Sequence, residues 1–158
     1  GHDEATEESV QAILEVRAAC EQYGLPLIVE VMALRPGPNG ILQPGASVEE
    51  LKGLVRLTVE LGADIIKVTP PDEREAISEL CELANVPLLV LGGARGDERT
   101  ILEQTATLIR HGAAGVIFGR NVFQHPHPPA MVHALRHIVH GNGDVQEALR
   151  LLRQPLTA

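Results

Sequence analysis

The sequence predicts an α/β fold of the (β/α)8 TIM-barrel type, of which this chain represents the C-terminal half, strands five to eight. Short apolar runs alternate with amphipathic helical segments, and this alternation produces right-handed crossovers and a parallel sheet. The unit repeats every ~25 to 35 residues, as barrel units do. No G-x-G-x-x-G motif follows a strand, which argues against a dinucleotide-binding sheet. Because an eight-stranded barrel takes ~250 residues, the 158 residues form a single half-barrel domain over 1–158.

Apolar runs and capping signals define the individual elements. The four predicted strands are 25–32, 64–69, 86–91 and 115–119, all rich in aliphatic residues as doubly buried strands are. The predicted helices are 6–23, 47–61, 72–84, 97–111, 129–140 and 144–152. Ser47 with Glu50 forms a capping box, Asp72 and Asp97 begin the next two helices, and Gly24 ends the first one.

Composition excludes several classes of function. The net charge of −8 argues against nucleic-acid binding, which needs an excess of Lys and Arg. No apolar run approaches the ~20 residues of a membrane span, and no secretory signal is visible at the start of the chain. Cys20 and Cys81 are too few for a disulfide framework. We therefore expect two reduced thiols and a cytoplasmic protein, with neither nucleic acid nor membrane as a partner.

Two side chains on neighbouring predicted strands are candidates for catalysis. If Lys67 faces the barrel interior, strand alternation turns Glu30 inward as well, and parallel neighbours lie ~5 Å apart. Lysine is rarely buried unless it is paired. Burial favours the neutral amine, which can attack a carbonyl and form a Schiff base. The alternatives are a structural ion pair with Glu30, or a lysine whose amine reaches solvent at the strand end. The only other lysine, Lys52, lies on a solvated helix.

Glycine-rich segments follow the last two predicted strands and are candidates for anion binding. They are Gly92-Gly93-Ala94 and Gly119-Arg120-Asn121. Glycines let backbone N–H groups approach an anion, and the loops after the last two barrel strands commonly bind phosphate. The alternative is a pair of tight turns, which glycine also serves.

Two further segments carry weaker signals. His133, His137 and His140 share a helical face, but no acidic or cysteine ligand accompanies them, so we expect no metal site. Residues 35–40 are typical of a long loop that either covers the substrate or is an irregular connection.

Three segments carry a resemblance: GADIIKVTPP (62–71), VPLLVLGGAR (86–95) and GAAGVIFGRNVFQHPHP (112–128). They resemble the class I, Schiff-base aldolase superfamily that includes deoxyribose-phosphate aldolase and archaeal-type fructose-bisphosphate aldolase. The tail, from GRNVFQ through AMVHALRHIVHGN, is most similar to the autoinducer-2-phosphate thiolase branch.

The resemblance implies roles for particular residues. It implies that Lys67 forms the Schiff base and that Gly92, Gly93, Gly119 and Arg120 hold the substrate phosphate. Met32 stands where the fructose-bisphosphate branch has a tyrosine. Glu30 resembles the glutamate of tagatose-bisphosphate-type aldolases and is the substitute candidate for proton transfer.

These inferences predict a metal-independent class I aldolase, without a cofactor, that makes or breaks a C–C bond in a phosphorylated sugar or keto compound. One alternative is acyl transfer from a phosphorylated diketone to coenzyme A. Another is a non-catalytic, phosphate-binding half-barrel. Exposed inner strands and unpaired edges would drive self-association, so we expect a homo-oligomer.

Overall fold

The computed structural model describes residues 4–32, 34–71, 73–141 and 143–153. The chain divides into two compact units, residues 1–69 with 79–88 and residues 70–78 with 89–158, which are described separately. The prediction of a single domain stays a prediction. Within the described ranges, no helix combines the length and the apolar character that crossing a bilayer requires.

The helix–strand alternation is confirmed, with small shifts in the boundaries. In chain order the elements are α1 (Glu4–Tyr23), β1 (Ile28–Val31), β2 (Leu34–Pro36), β3 (Leu42–Pro44), α2 (Val48–Glu60), β4 (Ile65–Val68), α3 (Ala76–Ala84), β5 (Leu88–Leu91), α4 (Glu98–Arg110), β6 (Gly115–Ile117), α5 (Arg120–Phe123), α6 (Pro128–His140) and α7 (Val145–Arg153).

In the first unit, β1 and β4 pair in parallel and α2 packs on β1. Each strand buries alternate residues: Val29 and Val31 on β1 are buried, while Ile28 and Glu30 are exposed. On β4, Ile66 and Val68 are fully buried. One face of this strand pair therefore packs in the core, and the other carries the polar side chains.

In the second unit, β5 and β6 pair in parallel, with Leu89 opposite Gly115. Helices α4, α6 and α7 pack against one another around a separate apolar cluster. Its fully buried members include Leu102, Ala134 and Ile138. This packing gives a stable base to the loops at the ends of β5 and β6.

The helix ends follow the predicted capping signals. Ser47 and Glu50 form the capping box of α2, and the Asp97 side chain accepts a hydrogen bond from Thr100 N at the start of α4. Gly24 lies just beyond α1 with a φ of 64°, a left-handed conformation that glycine adopts at low cost.

Two segments differ from the sequence-based prediction. Residues 35–40 are not an open loop, because β2 and β3 form an antiparallel hairpin around a single 3₁₀ turn at Pro38–Gly40. Asn39 and Gly40 both adopt positive φ, which lets so short a connection reverse the chain. Helix α3 begins at Ala76 rather than near residue 72, after a turn over 73–75; the predicted Asp72 start lies outside the described residues.

Candidate active site

Lys67 and Glu30 lie opposite each other on paired strands of the first unit. The register of β1 and β4 joins Glu30 to Lys67, and Lys67 Nζ donates a hydrogen bond to Glu30 Oε2 at 2.8 Å. The exposed fractions of the two side chains are 22% for Lys67 and 36% for Glu30. The structure therefore brings the two predicted residues together: an amine and a carboxylate meet in a partly desolvated position that solvent still reaches.

Apolar residues with the same strand parity surround this pair. Ile28 is exposed on β1, Met32 follows the end of β1 and is also exposed, and Ile65 is half-buried on β4. Because alternate residues share a face, these side chains border the Lys67–Glu30 pair. Met32 offers no proton, so the carboxylate is the group beside Lys67 that can transfer one.

The second lysine has a different environment. Lys52, on α2, contacts Glu49 Oε1 at 2.9 Å and Glu79 Oε2 at 2.5 Å. The hydrogen bond to Glu79, followed by the one to Glu49, raises the pKa of Lys52 well above its usual range. Lys52 is therefore held as an ammonium ion between two carboxylates, and its nitrogen has no free electron pair with which to attack a carbonyl.

The loop after β5, in the second unit, uses its two adjacent glycines in different ways. A Cβ at Gly92 would lie 2.5 Å from Cδ1 of Phe118, so the ring leaves no room for a side chain. The Gly92 N–H donates to Ile117 O at 3.0 Å and continues the strand ladder. A Cβ at Gly93 would meet nothing within 4 Å. Open space for a ligand therefore lies at Gly93, whereas Gly92 has a packing role.

Arg120 and Asn121 connect the loop after β6 to the loop after β5. Arg120 Nη2 donates to Gly93 O at 3.2 Å. Asn121 is only 4% exposed; its Nδ2 donates to Ala94 O at 3.3 Å and its Oδ1 accepts from Gly96 N at 3.0 Å. The two predicted glycine-rich segments are thus brought together. The sequence does not reveal the linking role of Asn121, because it shows only that this residue follows a strand.

His125 links the segment after α5 to helix α4. His125 lies 3.0 Å from Glu98 through Nε2, and its Nδ1 accepts from His127 N at 3.0 Å. Since Nδ1 accepts, the hydrogen of a neutral ring lies on Nε2 and is donated to Glu98. This contact fixes the short segment after α5 against the first turn of α4.

The three histidines of α6 differ in their surroundings. Within residues 4–32, 34–71, 73–141 and 143–153, no group of three or more His, Cys, Asp or Glu side chains could hold a metal ion. His137 Nε2 is buried and has no hydrogen-bond partner in the same ranges. His133 and His140 are exposed.

The hairpin of the first unit is fastened to α2. Arg35, on β2, forms an ion pair with Glu50, the residue that completes the capping box with Ser47. The Ser47 backbone N–H, then the Ser47 hydroxyl and Arg35, lower the pKa of Glu50 to about 2. The carboxylate is therefore charged at any ordinary pH and holds both the helix end and the hairpin.

Comparison with known proteins finds similar sequences and similar folds. The chain is 34% identical over 142 residues to 2-amino-3,7-dideoxy-D-threo-hept-6-ulosonate synthase 1 of Archaeoglobus fulgidus, covering 90% of this chain and 51% of that protein. It is 32% identical over 143 residues to a class 1 fructose-bisphosphate aldolase of Halobacterium salinarum, covering 90% and 53%. The crystal structure of an archaeal fructose 1,6-bisphosphate aldolase superposes with a TM-score of 0.75 at 26% identity, over 88% of this chain and 54% of that one.

The fold is that of the TIM-barrel class I aldolases, as predicted. Within that class the chain belongs to the DeoC/LacD family of aldolases, whose profile matches residues 1–125. The chain spans about half the length of the curated relatives it matches.

Proposed function

We propose that the protein is a metal-independent, Schiff-base aldolase acting on a phosphorylated sugar or keto compound. The observation that carries the proposal is the 2.8 Å contact between Lys67 Nζ and Glu30 Oε2. An ion pair with this much solvent exposure contributes only ~0–1 kcal/mol to folding. Stability alone is therefore a weak reason to place a lysine in the middle of an apolar strand. Relatives named as aldolases and as a (phosphonooxy)heptanoate synthase support the substrate class.

The proposed chemistry uses the two side chains in sequence. Glu30 accepts a proton from the Lys67 ammonium, and the neutral amine attacks the substrate carbonyl carbon to give a carbinolamine. Glu30 returns that proton to the carbinolamine hydroxyl, which leaves as water and gives the iminium ion, and Glu30 is again a carboxylate. In the cleavage direction, Glu30 accepts the proton of the β-hydroxyl while the adjacent C–C bond breaks, which releases an aldehyde and leaves an enamine on Lys67. Protonation of the enamine carbon and addition of water return the free lysine and the ketone product.

The loops of the second unit are proposed to bind the substrate phosphate. The N–H groups of Gly93, Ala94, Gly119 and Arg120 donate to no acceptor within the described residues, whereas Gly92 N–H is used in the ladder. Arg120 brings a cation to the same loops. Among the residues predicted to bind phosphate, Gly92 thus leaves space for the Phe118 ring. The other four supply the hydrogen-bond donors.

We also propose that the protein needs no cofactor, is cytoplasmic and is a homo-oligomer. The free thiols of Cys20 and Cys81 support a reducing compartment. Exposed apolar side chains on both units, among them Ile28 and Phe123, support self-association. That the chain corresponds to the C-terminal half of the barrel belongs to the same proposal.

Reductive trapping tests the nucleophile. We incubate the protein with fructose 1,6-bisphosphate or dihydroxyacetone phosphate, add borohydride, and map the adduct by mass spectrometry. We expect one adduct, on Lys67, with and without EDTA. Lys67→Met should abolish it. Lys52→Met is the matched control, because it removes the only other lysine, and it should leave trapping intact. An adduct on Lys52, or none with any phosphorylated carbonyl compound, contradicts the proposal.

Glu30→Gln separates proton transfer from attack. The amide keeps the size of the side chain but cannot take up a proton, so turnover should fall by ~10²- to 10⁴-fold while an adduct on Lys67 is still trapped slowly.

Activity that needs coenzyme A would instead favour acyl transfer. Phosphate binding without any Lys67-dependent activity would favour the non-catalytic half-barrel.

A further inference from the structure

Asp64, just before β4, holds the chain at the start of β1. Its Oδ2 accepts a hydrogen bond from Leu27 N at 2.8 Å, across 37 positions of the chain. The Leu27 carbonyl in turn accepts from Asp64 N at 3.0 Å and from Ile65 N at 3.1 Å. Three hydrogen bonds therefore converge on Leu27, one residue before β1 begins. We call this group of contacts the Asp64 clamp.

The Asp64 side chain acts on the backbone and not on the catalytic pair. Within the described ranges its carboxylate forms no ion pair, and Leu27 N–H is its partner. Asp64 lies three positions before Lys67, so strand alternation puts the two residues on opposite faces. Any effect of Asp64 on Lys67 must therefore pass through the position of the strands.

Burial alone does not fix the register of β1. Three alternate residues are buried, namely Leu27, Val29 and Val31. A slip of one residue would turn them out of the core and is disfavoured. A slip of two residues keeps the same face buried, yet it puts Ile28 or Met32 opposite Lys67 in place of Glu30. The apolar pattern therefore does not distinguish the observed register from these two alternatives.

The strand β1 has few other contacts that could decide the register. It has four residues, and β4 is the one strand that pairs with it in the part of the chain that the structure describes. Their pairing sets Ile28 opposite Ile65 and Glu30 opposite Lys67. The clamp adds contacts at the position just before this ladder.

The Asp64 clamp does distinguish the three registers. In one slipped register Leu25 would take the place of Leu27, but Leu25 N–H already donates to Cys20 O at 2.9 Å. In the other, Leu27 would move away from Asp64. Leu27 is only 6% exposed, so its backbone N–H and C=O would lose their partners in a buried position. The clamp is therefore complete only where Glu30 faces Lys67.

We propose that Asp64 is a positioning residue for the Lys67–Glu30 pair. By holding Leu27 N–H, it selects the register in which Lys67 Nζ and Glu30 Oε2 meet at 2.8 Å. This inference rests on the proposed function, which gives Lys67 and Glu30 their chemical roles. It extends the site to a residue on the other face of the strand.

Reductive methylation with formaldehyde and cyanoborohydride tests the clamp without a substrate. The measured quantity is the labelling rate of Lys67 divided by that of Lys52, obtained by peptide mass spectrometry. Asp64→Ala removes the acceptor, so Lys67 should lose Glu30 and the ratio should rise about two- to fivefold, the effect of losing a partly exposed ion pair. Asp64→Asn keeps an oxygen acceptor and should restore the wild-type ratio.

Two further variants complete the labelling experiment. Glu30→Gln should raise the ratio as Asp64→Ala does, and combining the two should raise it no further, because both remove the same contact. Asp144→Ala is the matched control. It removes a carboxylate that accepts backbone N–H groups at the start of α7, and it should label as the wild type does.

Cleavage of fructose 1,6-bisphosphate gives a second measurement. Asp64→Ala should lower kcat by about 10²-fold, because the proton-transfer group is misplaced, and should leave KM nearly unchanged. In the Glu30→Gln background the same substitution should cost little more, whereas a residue that only stabilises the fold would lower kcat by the same factor in both backgrounds. Circular dichroism and urea denaturation confirm that each variant is folded under the assay conditions.

The outcomes separate this inference from the proposed function. Asp64→Glu moves the acceptor by one methylene group and replaces Asp64→Ala if that variant does not fold. An unchanged labelling ratio in the folded variants, or independent effects of Asp64 and Glu30, would overturn the role of Asp64. If reductive trapping on Lys67 fails in the wild type while the labelling ratio still depends on Asp64, the aldolase proposal is wrong and the clamp stands.

Discussion

A single buried amide, that of Asn121, joins the loops after β5 and β6. Its oxygen and nitrogen each have one backbone partner, Gly96 N and Ala94 O. Replacing it removes both hydrogen bonds, and each contributes about 0.5–1.5 kcal/mol to stability. The same two bonds hold the free amides of Gly93 and Ala94 in position.

Asn121→Ala should therefore lower the free energy of unfolding by about 1–3 kcal/mol, measured by urea denaturation. Asn121→Asp tests the donor: it keeps an acceptor for Gly96 N but turns a charged oxygen towards Ala94 O, so it should be destabilised as well. Equal stability of all three proteins would contradict the role given to this side chain.

Individual site residues differ in whether the sequence predicts their role. The Lys67–Glu30 pairing is predictable, because strand alternation has a period of two and the two strands are neighbours in the repeating fold. The role of Asn121 is not. Asn121 acts through partners about 25 positions earlier in the chain, which only the folded packing brings next to it.

Among the elements, caps are predictable and short paired segments are not. The sequence shows the helix ends directly, because capping depends on local residues such as Ser47, Asp97 and Gly24. The strands β2 and β3 have three residues each and both end in proline, so they show no alternating pattern. The hairpin forms because Asn39 and Gly40 reverse the chain and Arg35 reaches Glu50, a contact 15 residues away.

The stability that Glu50 contributes at the start of α2 should depend on pH. The pKa of Glu50 is lowered from 4.5 to about 2, so its carboxylate stabilises the folded state above pH 4.5. That stabilisation is lost as the pH falls from 4.5 towards 2. Glu50→Gln should therefore be less stable than wild type at pH 7, and the difference should shrink over this window. Urea denaturation at a series of pH values measures it; a difference that does not vary with pH would rule out the charge as its source.

At the scale of the whole molecule, apolar side chains remain uncovered. In the second unit Phe123 is 81% exposed and borders a groove that Val132 and Val139 also line. Exposed apolar surface of this kind marks interaction sites.

Phe123→Asp should shift the protein towards smaller species, because a charge at the groove opposes apolar association. Sedimentation velocity over a concentration series measures the change. Gln124→Asp, which adds the same charge at the next position without removing apolar surface, should leave the distribution as in wild type. A monomeric wild-type protein would contradict the proposed self-association.

The close approach of Gly92 and Phe118 has an evolutionary consequence. Because a Cβ at position 92 would lie 2.5 Å from the ring, the two positions cannot vary independently. A lineage that acquires a side chain at position 92 must also displace the ring or replace the phenylalanine by something smaller. The reverse order is permitted, since losing the ring leaves only a void. Substitution at this pair is thus directional, and a glycine should persist wherever an aromatic residue occupies position 118.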